Sequence, residues 1–400
     1  MSRFLFATFP VTGHVNPGLG VARELVVRGH DVRWYSTPRF RRAIENIGAR
    51  WVPFRHALPV DEEGIQNLFP DRPKGGIAQL RFDIENLFVS TVPAALRDLE
   101  EELDRETADV LVSDNAFAVP ALVRERRGIP WAVYGINPLT MPSRDTAPFG
   151  LALMPSASPL GRLRNRMLYW MVDRLLFGRA NAMYQQIRRN LGLSRYRGSI
   201  FDVVRESDLY LHGTAPSFEY PRTDMPPQVR FVGASVPAPP TDWTKPAWWS
   251  EMERHWRVVL VTQGTINNDY DQLIRPAIRA LADENMTVVV TTGSRPPADV
   301  GIDILPPNVH VERFVPYAHL MPKVDLLVTN GGYGSIQIAL AHGVPVVSIG
   351  KTEDKAEIAN RVEWSGVGIG LKVLVPTETQ IRDAVRRVLS TPTYAARAEA

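Results

Sequence analysis

The sequence has no cysteine among its 400 residues. This absence excludes a disulfide framework, a thiolate metal site and a cysteine nucleophile, and it fits a reducing cytoplasm, where we expect the protein to be located. Long hydrophobic runs are also lacking, so we expect no stable membrane insertion, and the short apolar stretch at the N-terminus is better explained as a buried strand than as a signal peptide. The formal net charge is only +3, and no basic run is interleaved with aromatic residues, so no nucleic acid is expected as a partner.

What is present is the composition of a soluble globular protein, with 44% apolar and 22% charged residues and enough length for two domains. Strand and helix patterns alternate through the first half, stop in a stretch of four prolines at 237–246, and then start again. We therefore predict an α/β fold with two doubly wound Rossmann-like domains facing each other across a cleft. The predicted parts are an N-terminal domain at 1–236, a Pro/Trp-rich linker at 237–256 and a C-terminal domain at 257–400. The chain ends in a helix-forming run without a stop signal, as a truncated domain would.

Hydrophobic periodicity predicts the individual elements. In the first domain, strands are expected at 3–9, 31–36, 51–54, 109–113, 131–135, 208–211 and 229–232, and helices at 16–28, 77–103 with a break at Pro93, 117–127 and 160–191. In the second, strands are expected at 257–262, 286–291, 309–312, 324–328, 344–349 and 367–371, and helices at 270–283, 354–364 and 378–389. The stretches 56–75 and 137–159 show no period and are interpreted as long loops, which are usually functional or mobile. The arginine-rich side of 160–191 is typical of a solvated face, with a membrane-surface helix as the alternative.

The stretch from Val324 to Gly350 carries the strongest pattern of the second domain. A buried strand, a glycine turn at 330–334, a short helical pattern and a second buried strand together predict a βαβ unit. The turn would place free backbone N–H groups at the positive end of a helix, where glycine lets an anion approach the main chain. This geometry suits a diphosphate, although a tight turn without a ligand would give the same pattern.

Two polar residues of the first domain follow strands, at the edge where such sheets bind ligands. His14 follows the first strand, and a neutral imidazole there could take a proton from a hydroxyl group if its tautomer were held. Asp114 follows the strand at 109–113 and is its natural partner, because a carboxylate on the other ring nitrogen orients the base and stabilises the imidazolium. Taken singly, each residue is better explained by helix capping or by a structural hydrogen bond.

The second domain offers groups for an anion and for a sugar. The glycines and hydroxyls that could hold a diphosphate together with backbone amides are Gly264, Gly332, Thr265 and Ser335. Asp354 and Lys355 follow the next strand at the same edge, and the carboxylate could contact sugar hydroxyls or could cap the following helix. No Asp-x-Asp motif or cluster of His and carboxylates lies beside the glycine turns, so we expect neither a metal nor a cofactor.

Taken together, these motifs resemble the GT-B-fold family 1 glycosyltransferases, close to the bacterial branch that includes macrolide and natural-product glycosyltransferases. The resemblance covers nearly the whole chain. It rests on Gly13-His14-Val15-Asn16-Pro17, on Glu24-Leu25 with His30-Asp31-Val32, on Asp109 with Asp114, and on the run from Phe314-Val315-Pro316-Tyr317 through Gly343-Val344-Pro345 to Asp354-Lys355. The spacing within this last run matches the bacterial pattern without insertions.

The resemblance implies inverting transfer of a sugar from a UDP- or TDP-linked donor to a hydroxyl of a small-molecule acceptor. By this similarity His14 would be the general base and Asp114 its orienting partner, with the acceptor in the first domain and the donor in the second. The implied donor-binding residues are Gly264, Thr265, Phe314, Tyr317, Asn330, Gly331, Gly332, Gly334, Ser335, Asp354 and Lys355.

Five positions depart from the family pattern, all on the donor side. Phe314 and Tyr317 stand where a Trp and a Gln usually contact the base. An aromatic ring is thus still available to stack on the base, but the pattern does not say which base is recognised. Asn330 replaces a His that usually touches the diphosphate, and Lys355 replaces a Gln, which leaves the sugar open. Ile338 replaces a Glu that usually holds the ribose hydroxyls, so a deoxyribose donor such as a TDP-sugar becomes less disfavoured.

Other interpretations are weaker. A non-catalytic GT-B helper that activates a partner glycosyltransferase would have no need for both His14 and Asp114. An epimerase or a lipid-linked transferase would share the nucleotide site, and a dinucleotide-dependent oxidoreductase lacks its glycine motif after the first strand. For the acceptor, we expect a largely apolar pocket near the two long loops. Its candidate residues, any of which could equally be core, are Phe69, Phe82, Phe88, Phe149 and Met154.

Overall fold

The structure, a computed structural model, describes the 400-residue chain except residues 74, 238, 241–242, 254–256, 265–268, 294 and 352–353. The chain divides into two compact units. The first consists of Met1–Pro148, Met154–Gly213 and Pro221–Val232, and the second of Phe149–Leu153, Thr214–Tyr220 and Gly233–Ala400. Two short segments that interrupt the first unit along the chain, Phe149–Leu153 and Thr214–Tyr220, are thus part of the second unit. We call them the two early segments.

The first unit is built on a seven-stranded parallel sheet. Its strands are β1 Arg3–Ala7, β2 Asp31–Ser36, β3 Arg50–Pro53, β4 Val110–Asp114, β5 Trp131–Gly135, β6 Leu209–His212 and β7 Val229–Phe231. Its helices are α1 Thr12–Val27, α2 Arg41–Asn46, α3 Glu62–Leu68, α4 Gly76–Asp83, α5 Val92–Arg105, α6 Val119–Arg127, α7 Pro159–Met171 and α8 Gly178–Asn190. The strand order is β3-β2-β1-β4-β5-β6-β7, so the order reverses between β1 and β4. The carboxyl ends of strands at such a switch point are where open parallel sheets bind ligands.

The central strand of this sheet is buried on both faces. Leu5 and Ala7 join the core on one side, and Phe6, which points the opposite way, joins the core on the other. Helices cover both faces, which is why the strand appears in the sequence as a continuous apolar run.

The second unit repeats this plan with a six-stranded parallel sheet. Its strands are β8 Val258–Thr262, β9 Thr287–Thr291, β10 Val309–Glu312, β11 Leu326–Thr329, β12 Val346–Ile349 and β13 Gly368–Leu371. Its helices are α9 Ile274–Leu281, α10 Tyr317–Leu320, α11 Tyr333–Leu340, α12 Lys355–Ser365, α13 Glu378–Ser390 and α14 Pro392–Glu399. The order is β10-β9-β8-β11-β12-β13, with the switch point between β8 and β11. The chain therefore has two Rossmann-like domains, as its alternating pattern predicted.

Aromatic residues pack the start of the second unit onto its sheet. Phe218 of an early segment lies in the same core as Ile336 of α11. Trp243 stacks on His319 with ring centroids 5.2 Å apart. Trp248 stacks on a second histidine and donates a hydrogen bond to the last residue of β10. The linker tryptophans with described positions therefore serve packing, while Trp256 lies outside the described residues.

Several element predictions were wrong in their bounds. The first helix begins at Thr12 rather than at residue 16, so Pro17 lies inside the helix and not in its first turn. His14 consequently lies in the first helical turn and not in a connecting turn. The supposed loop at 56–75 contains α3, whose N-terminus is capped by the carboxylate of Asp61.

The two long helical predictions are each interrupted. Residues 77–103 form α4, a π-helical turn at Ile84–Val89 and α5, and Pro93 stands in the first turn of α5, where proline costs no hydrogen bond. The second long prediction is broken into α7, a π-helical turn and α8. Helix α7 also exposes apolar side chains, since Leu160, Met167 and Trp170 are 80%, 63% and 62% exposed.

Candidate active site

His14 and Asp114 meet at the switch point of the first sheet. Because β1 and β4 are neighbours, the residues at their carboxyl ends lie side by side. The Nδ1 atom of His14 lies 2.9 Å from Oδ1 of Asp114. The imidazole side chain is 17% exposed and the carboxylate is fully buried. The structure thus brings the two residues together, with a buried carboxylate behind an imidazole that solvent and ligands can reach.

The carboxylate of Asp114 is held by the main chain as well. Its Oδ2 accepts a hydrogen bond from the backbone N–H of Phe9 at 2.8 Å, and its Oδ1 accepts one from Ala116 at 2.8 Å. A carboxylate already used as an acceptor by two amides acts as an acceptor toward His14 too, so we assign the shared proton to Nδ1. The lone pair of the ring is then on Nε2. Asp114 does not cap α6, whose N-cap residue is Ala118.

The backbone of His14 is fixed by Tyr134, the fourth residue of β5. The hydroxyl of Tyr134 donates to the carbonyl oxygen of His14 at 2.7 Å. A Cβ atom on Gly18 would lie 2.5 Å from that hydroxyl oxygen, so glycine is required at this position for the approach. Burial, and then the charge of Asp114, raise the pKa of Tyr134 well above its ordinary value. Its hydroxyl therefore remains a donor at any physiological pH.

Aromatic rings lie beside the imidazole. The ring centroids of Phe9 and His14 are 5.4 Å apart, and Phe88 stacks on Phe9 at 4.6 Å. Phe69 and Phe82 form an edge-to-face pair at 5.5 Å in the same unit. Of the predicted acceptor residues, Phe88 is thus the one that the structure connects to His14.

The other two predicted acceptor residues are placed differently. Met154 belongs to the first unit and is 42% exposed, whereas Phe149 belongs to the second unit as part of an early segment. The structure does not group either of them with Phe88.

In the second unit, the turns after β8 and β11 meet at the switch point. Gly264 has a φ of +80°, and a Cβ atom there would lie 3.7 Å from Oδ1 of Asn330. Gly331 has a φ of +91°, which glycine adopts without strain. A Cβ atom on Gly331 would lie 3.3 Å from Cβ of Lys355. These four residues surround one glycine turn, whereas Thr265, predicted to join them, lies outside the described residues.

The turn leads directly into α11. Gly332 is the N-cap residue of this helix, and Gly334 and Ser335 lie in its first turn. The first N–H groups of a helix have no intrahelical partner and carry the positive end of its dipole. A Cβ atom on Gly334 would meet no atom within 4 Å, so the space over this turn is open. The arrangement can bind an anionic oxygen.

Two buried hydroxyls lie beneath the same turn. Thr329 ends β11 and Ser348 lies in β12, and neither hydroxyl has a hydrogen-bond partner among the described residues. The Oγ atom of Ser348 is 3.3 Å from the position of a Cβ atom on Gly331. Buried polar groups are nearly always paired, so these hydroxyls fit a site that takes a polar ligand.

The remaining donor candidates lie in the loops and helix starts around this sheet. Phe314 follows β10 and is 67% exposed, so its ring is accessible. Tyr317 begins α10. Its side chain and that of Ile338 are both partly buried against the core, so part of each serves packing. Asp354 is the N-cap residue of α12, but its side chain does not cap the helix. The capping explanation for this carboxylate is therefore removed.

Sequence reasoning did not single out Phe9, Tyr134, Thr329 or Ser348. The two hydroxyls had a signal, since each is a polar residue within an otherwise apolar strand, close to its carboxyl end. Phe9 and Tyr134 had none, because an aromatic residue at the end of a buried strand is ordinary core composition.

The described part of the chain contains no group of three or more His, Asp or Glu side chains arranged to hold a metal ion. None of its helices combines the length and apolarity that crossing a membrane requires.

Comparison with known proteins adds the family. The family model described as Erythromycin biosynthesis protein CIII-like, C-terminal domain matches residues 276–400. The 4'-demethylrebeccamycin synthase of Lentzea aerocolonigenes is 47% identical over 98% of this chain and 93% of its own length. The UDP-glycosyltransferase 2 of Phaeomoniella chlamydospora is 33% identical over 98% of this chain and 90% of its own. Among solved structures, the calicheamicin glycosyltransferase CalG4 superposes with a TM-score of 0.73 at 24% identity, covering 100% of this chain and 92% of that one.

The fold and these relatives define a glycosyltransferase of the GT-B fold. The chain belongs to the family 1 glycosyltransferases, in the branch that includes the bacterial macrolide and natural-product enzymes. It is an enzyme that transfers a sugar from a nucleotide sugar. The interpretation as a non-catalytic helper is not favoured, because both relatives are named as enzymes.

Proposed function

We propose that this protein is a cytoplasmic, inverting glycosyltransferase that moves a sugar from a UDP- or TDP-sugar to a hydroxyl of a small, largely apolar acceptor. His14 acts as the general base and Asp114 holds its tautomer. The observation that carries the proposal is the 2.9 Å contact between Nδ1 of His14 and Oδ1 of the buried Asp114 at the carboxyl edge of the first sheet.

The chemistry follows from that contact. As the acceptor oxygen attacks the anomeric carbon, its proton passes to Nε2 of His14, and the resulting imidazolium is stabilised by Asp114. The bond from the anomeric carbon to the diphosphate oxygen breaks on the opposite face, so the configuration inverts. The nucleoside diphosphate leaves with the bonding electron pair. Charge that develops on it is stabilised by preorganised donors, which we assign to the first turn of α11 and the glycine turn before it.

For the donor, we assign the diphosphate to residues 331–335, above the buried hydroxyls of Thr329 and Ser348, and the base to the accessible ring of Phe314. Lys355 beside Gly331 adds positive charge near this turn. Two observations bear on the nucleotide. A relative is named a UDP-glycosyltransferase, which supports UDP. Ile338 offers no carboxylate to ribose hydroxyls, which supports acceptance of TDP-sugars as well.

For the acceptor, the stack of Phe88 on Phe9 supports a ligand with a flat apolar face. This stack stands next to His14, so an apolar ring that packs on the partly buried Phe88 would lie near the imidazole. The 47% identical relative is named as a synthase of 4'-demethylrebeccamycin, which supports a natural-product acceptor.

The test is a screen of UDP- and TDP-sugars against phenolic, macrolide and lipid alcohols, read by mass spectrometry with and without EDTA. Once a productive pair is found, His14→Ala and Asp114→Asn should each lower kcat by about 10²- to 10⁴-fold, the range that general-base catalysis supplies. His56→Ala is the matched control, since His56 pairs with Glu101 on the protein surface and should retain full activity. An α-linked donor should give a β-linked product by NMR.

Three results would contradict the proposal. Transfer by His14→Ala at the wild-type rate would remove the base assignment. Failure of every UDP- and TDP-sugar to bind or react would remove the donor assignment. A product that keeps the anomeric configuration of the donor would rule out single displacement.

A further inference from the structure

Arg361 of α12 is the centre of a buried charge cluster in the second unit. Its Nε and Nη2 donate to Oε1 of Glu219 at 3.0 and 2.7 Å, and its Nη1 donates to Oε2 of Glu357 at 3.0 Å. The guanidinium carbon lies 4.1 Å from the ring centroid of Tyr220. The three charged side chains are between 1% and 5% exposed. We call Glu219, Tyr220, Glu357 and Arg361 the Arg361 cluster.

Burying three charged side chains contributes little net stability to a fold. The desolvation of each ion opposes folding, and well-packed apolar residues of the same volume often stabilise a protein as much or more. A cluster of this kind is therefore better explained by a geometry that it enforces than by stability alone.

The Arg361 cluster fixes the position of the early segment Phe149–Leu153. The Oε1 atom of Glu357, opposite the one that Arg361 uses, accepts hydrogen bonds from the backbone N–H groups of Gly150 at 3.0 Å and Ala152 at 2.8 Å. Asn360 donates to the carbonyl oxygen of Ala152 at 2.5 Å. Both main-chain polar groups of Ala152 are thus held by α12.

Ala152 is strained. It is the one non-glycine residue in the described part of the chain with a positive φ, at +50°. Such a conformation persists only where surrounding contacts impose it, and it is enriched at ligand sites. The contacts that impose it here come from α12.

The location of the Arg361 cluster indicates its role. Asp354 and Lys355, which the sequence pattern predicts to contact the sugar of the donor, stand at the start of α12, and Glu357 lies in the same first helical turn. We propose that the Arg361 cluster is a positioning device for sugar transfer: it holds Phe149–Leu153 against the first turn of α12, so that this segment forms one wall of the sugar site. This proposal rests on the proposed function. In it, Glu357 and Arg361 act through the segment and do not touch the reacting atoms.

The test uses the full-length enzyme with Glu357→Gln, and Glu363→Gln as the matched control. Glu363 lies on the same helix, and its ion pair with Lys372 is solvent-accessible. For Glu357→Gln we expect an unchanged affinity for UDP or TDP alone, within twofold by calorimetry, because the nucleotide turn is not part of the cluster. We expect kcat/KM for transfer to fall at least tenfold, since a displacement of about 1 Å can cost a factor of about 10². Hydrogen exchange at the amides of Gly150 and Ala152 should become faster. The control should match the wild type in all three.

A second variant separates positioning from stability. Ala152→Gly removes the backbone strain, so its melting temperature should equal or exceed that of the wild type, while kcat/KM should still fall about threefold or more because the segment is less fixed. A purely structural cluster would leave the kcat/KM of this variant unchanged.

Besides an unchanged kcat/KM for Ala152→Gly, two outcomes for Glu357→Gln would overturn the proposal. One is transfer by Glu357→Gln within twofold of the wild type. The other is an equal loss of UDP or TDP affinity and of transfer, which would mean that the cluster supports the unit as a whole. If the wild-type chain transfers no sugar at all, the proposed function fails with it. Normal wild-type transfer together with either outcome removes the positioning role alone.

Discussion

The hydroxyl of Tyr134 contacts the main chain of His14 and not its ring, and this fixes what the loss of the hydroxyl would do. The imidazole would keep its bond to Asp114, so its tautomer would be retained. The first turn of α1, which contains His14, would lose its hydrogen bond to Tyr134 of β5. At the scale of a single residue, the site thus combines the His14–Asp114 pair, which transfers the proton, with Tyr134, which fixes the position of the His14 backbone.

Tyr134→Phe should therefore lower kcat by about three- to tenfold, corresponding to one buried hydrogen bond of about 1 kcal/mol used for placement. The pH at which activity is half-maximal should not move, because the His14–Asp114 contact is intact. Tyr35→Phe is the control, since it also deletes a buried 2.7 Å hydrogen bond, to Asp98, in the same unit. The control should lose stability while retaining kcat. Equal kcat for Tyr134→Phe and the wild type would show that the contact is structural.

Phe314→Ala should weaken binding of UDP and TDP about three- to tenfold, because an aromatic stack contributes about 0.5–1.5 kcal/mol. Phe314→Trp offers a larger face and should bind at least as tightly as the wild type. Isothermal calorimetry with the free nucleotides measures both variants. If both bind like the wild type, the base does not stack on this ring.

At the scale of an element, the irregular stretch between β5 and α7 is held in place by the carboxylate of Asp145. The backbone N–H and the hydroxyl of Thr223 donate to Oδ2 of Asp145, both at 2.7 Å, and Nε of Arg162 donates to Oδ1 at 2.9 Å. Burial of the carboxylate acts to raise its pKa, but these hydrogen bonds outweigh burial and lower the pKa of Asp145 to about 2. The carboxylate therefore ties the stretch to the start of α7.

Asp145→Asn should reduce the free energy of unfolding by up to about 2 kcal/mol at pH 7. The folded-state pKa lies below the unfolded value of about 3.9, so the contribution is complete above that value and is lost as the pH falls toward 2. Urea unfolding should thus show a constant difference from the wild type between pH 7 and about pH 5, narrowing below about pH 4. Asn in place of the exposed Asp71 serves as the control and should cost almost nothing. A difference that grows as the pH falls would contradict the assignment.

Elements also show what a sequence can and cannot reveal. Strands such as β5 and β10 were predicted with their observed bounds, because burial on both faces produces an apolar run that needs no knowledge of partners. The proximity of His14 and Asp114 was expected because each residue follows a strand, at the same edge of the sheet. Glu357 and Arg361 were passed over, since their i,i+4 spacing is that of an ordinary surface ion pair on a helix. Arg361 pairs with Glu219, which lies 142 residues earlier in the chain, and no local pattern reports such a partner.

At the scale of the whole molecule, each unit has its own sheet and its own pair of cores. Calorimetry should therefore resolve two unfolding transitions. UDP or TDP at about 100 times its Kd should raise the temperature of one of them, since such binding stabilises a folded unit by about 2.7 kcal/mol. Asp145→Asn should lower the other. A single transition that responds to both changes would show that the units unfold as one.

The order of synthesis gives the early segments a further consequence. Arg361 leaves the ribosome 142 residues after Glu219, roughly 7 to 30 s later at ordinary rates of translation. During that interval the first unit can complete its sheet, while Phe218 and Glu219 already exist without the helices that will cover them. The nascent chain thus carries an exposed phenylalanine beside a carboxylate for many seconds, a target for chaperones. The second unit can bury this segment only after α12 has been synthesised, long after the segment itself.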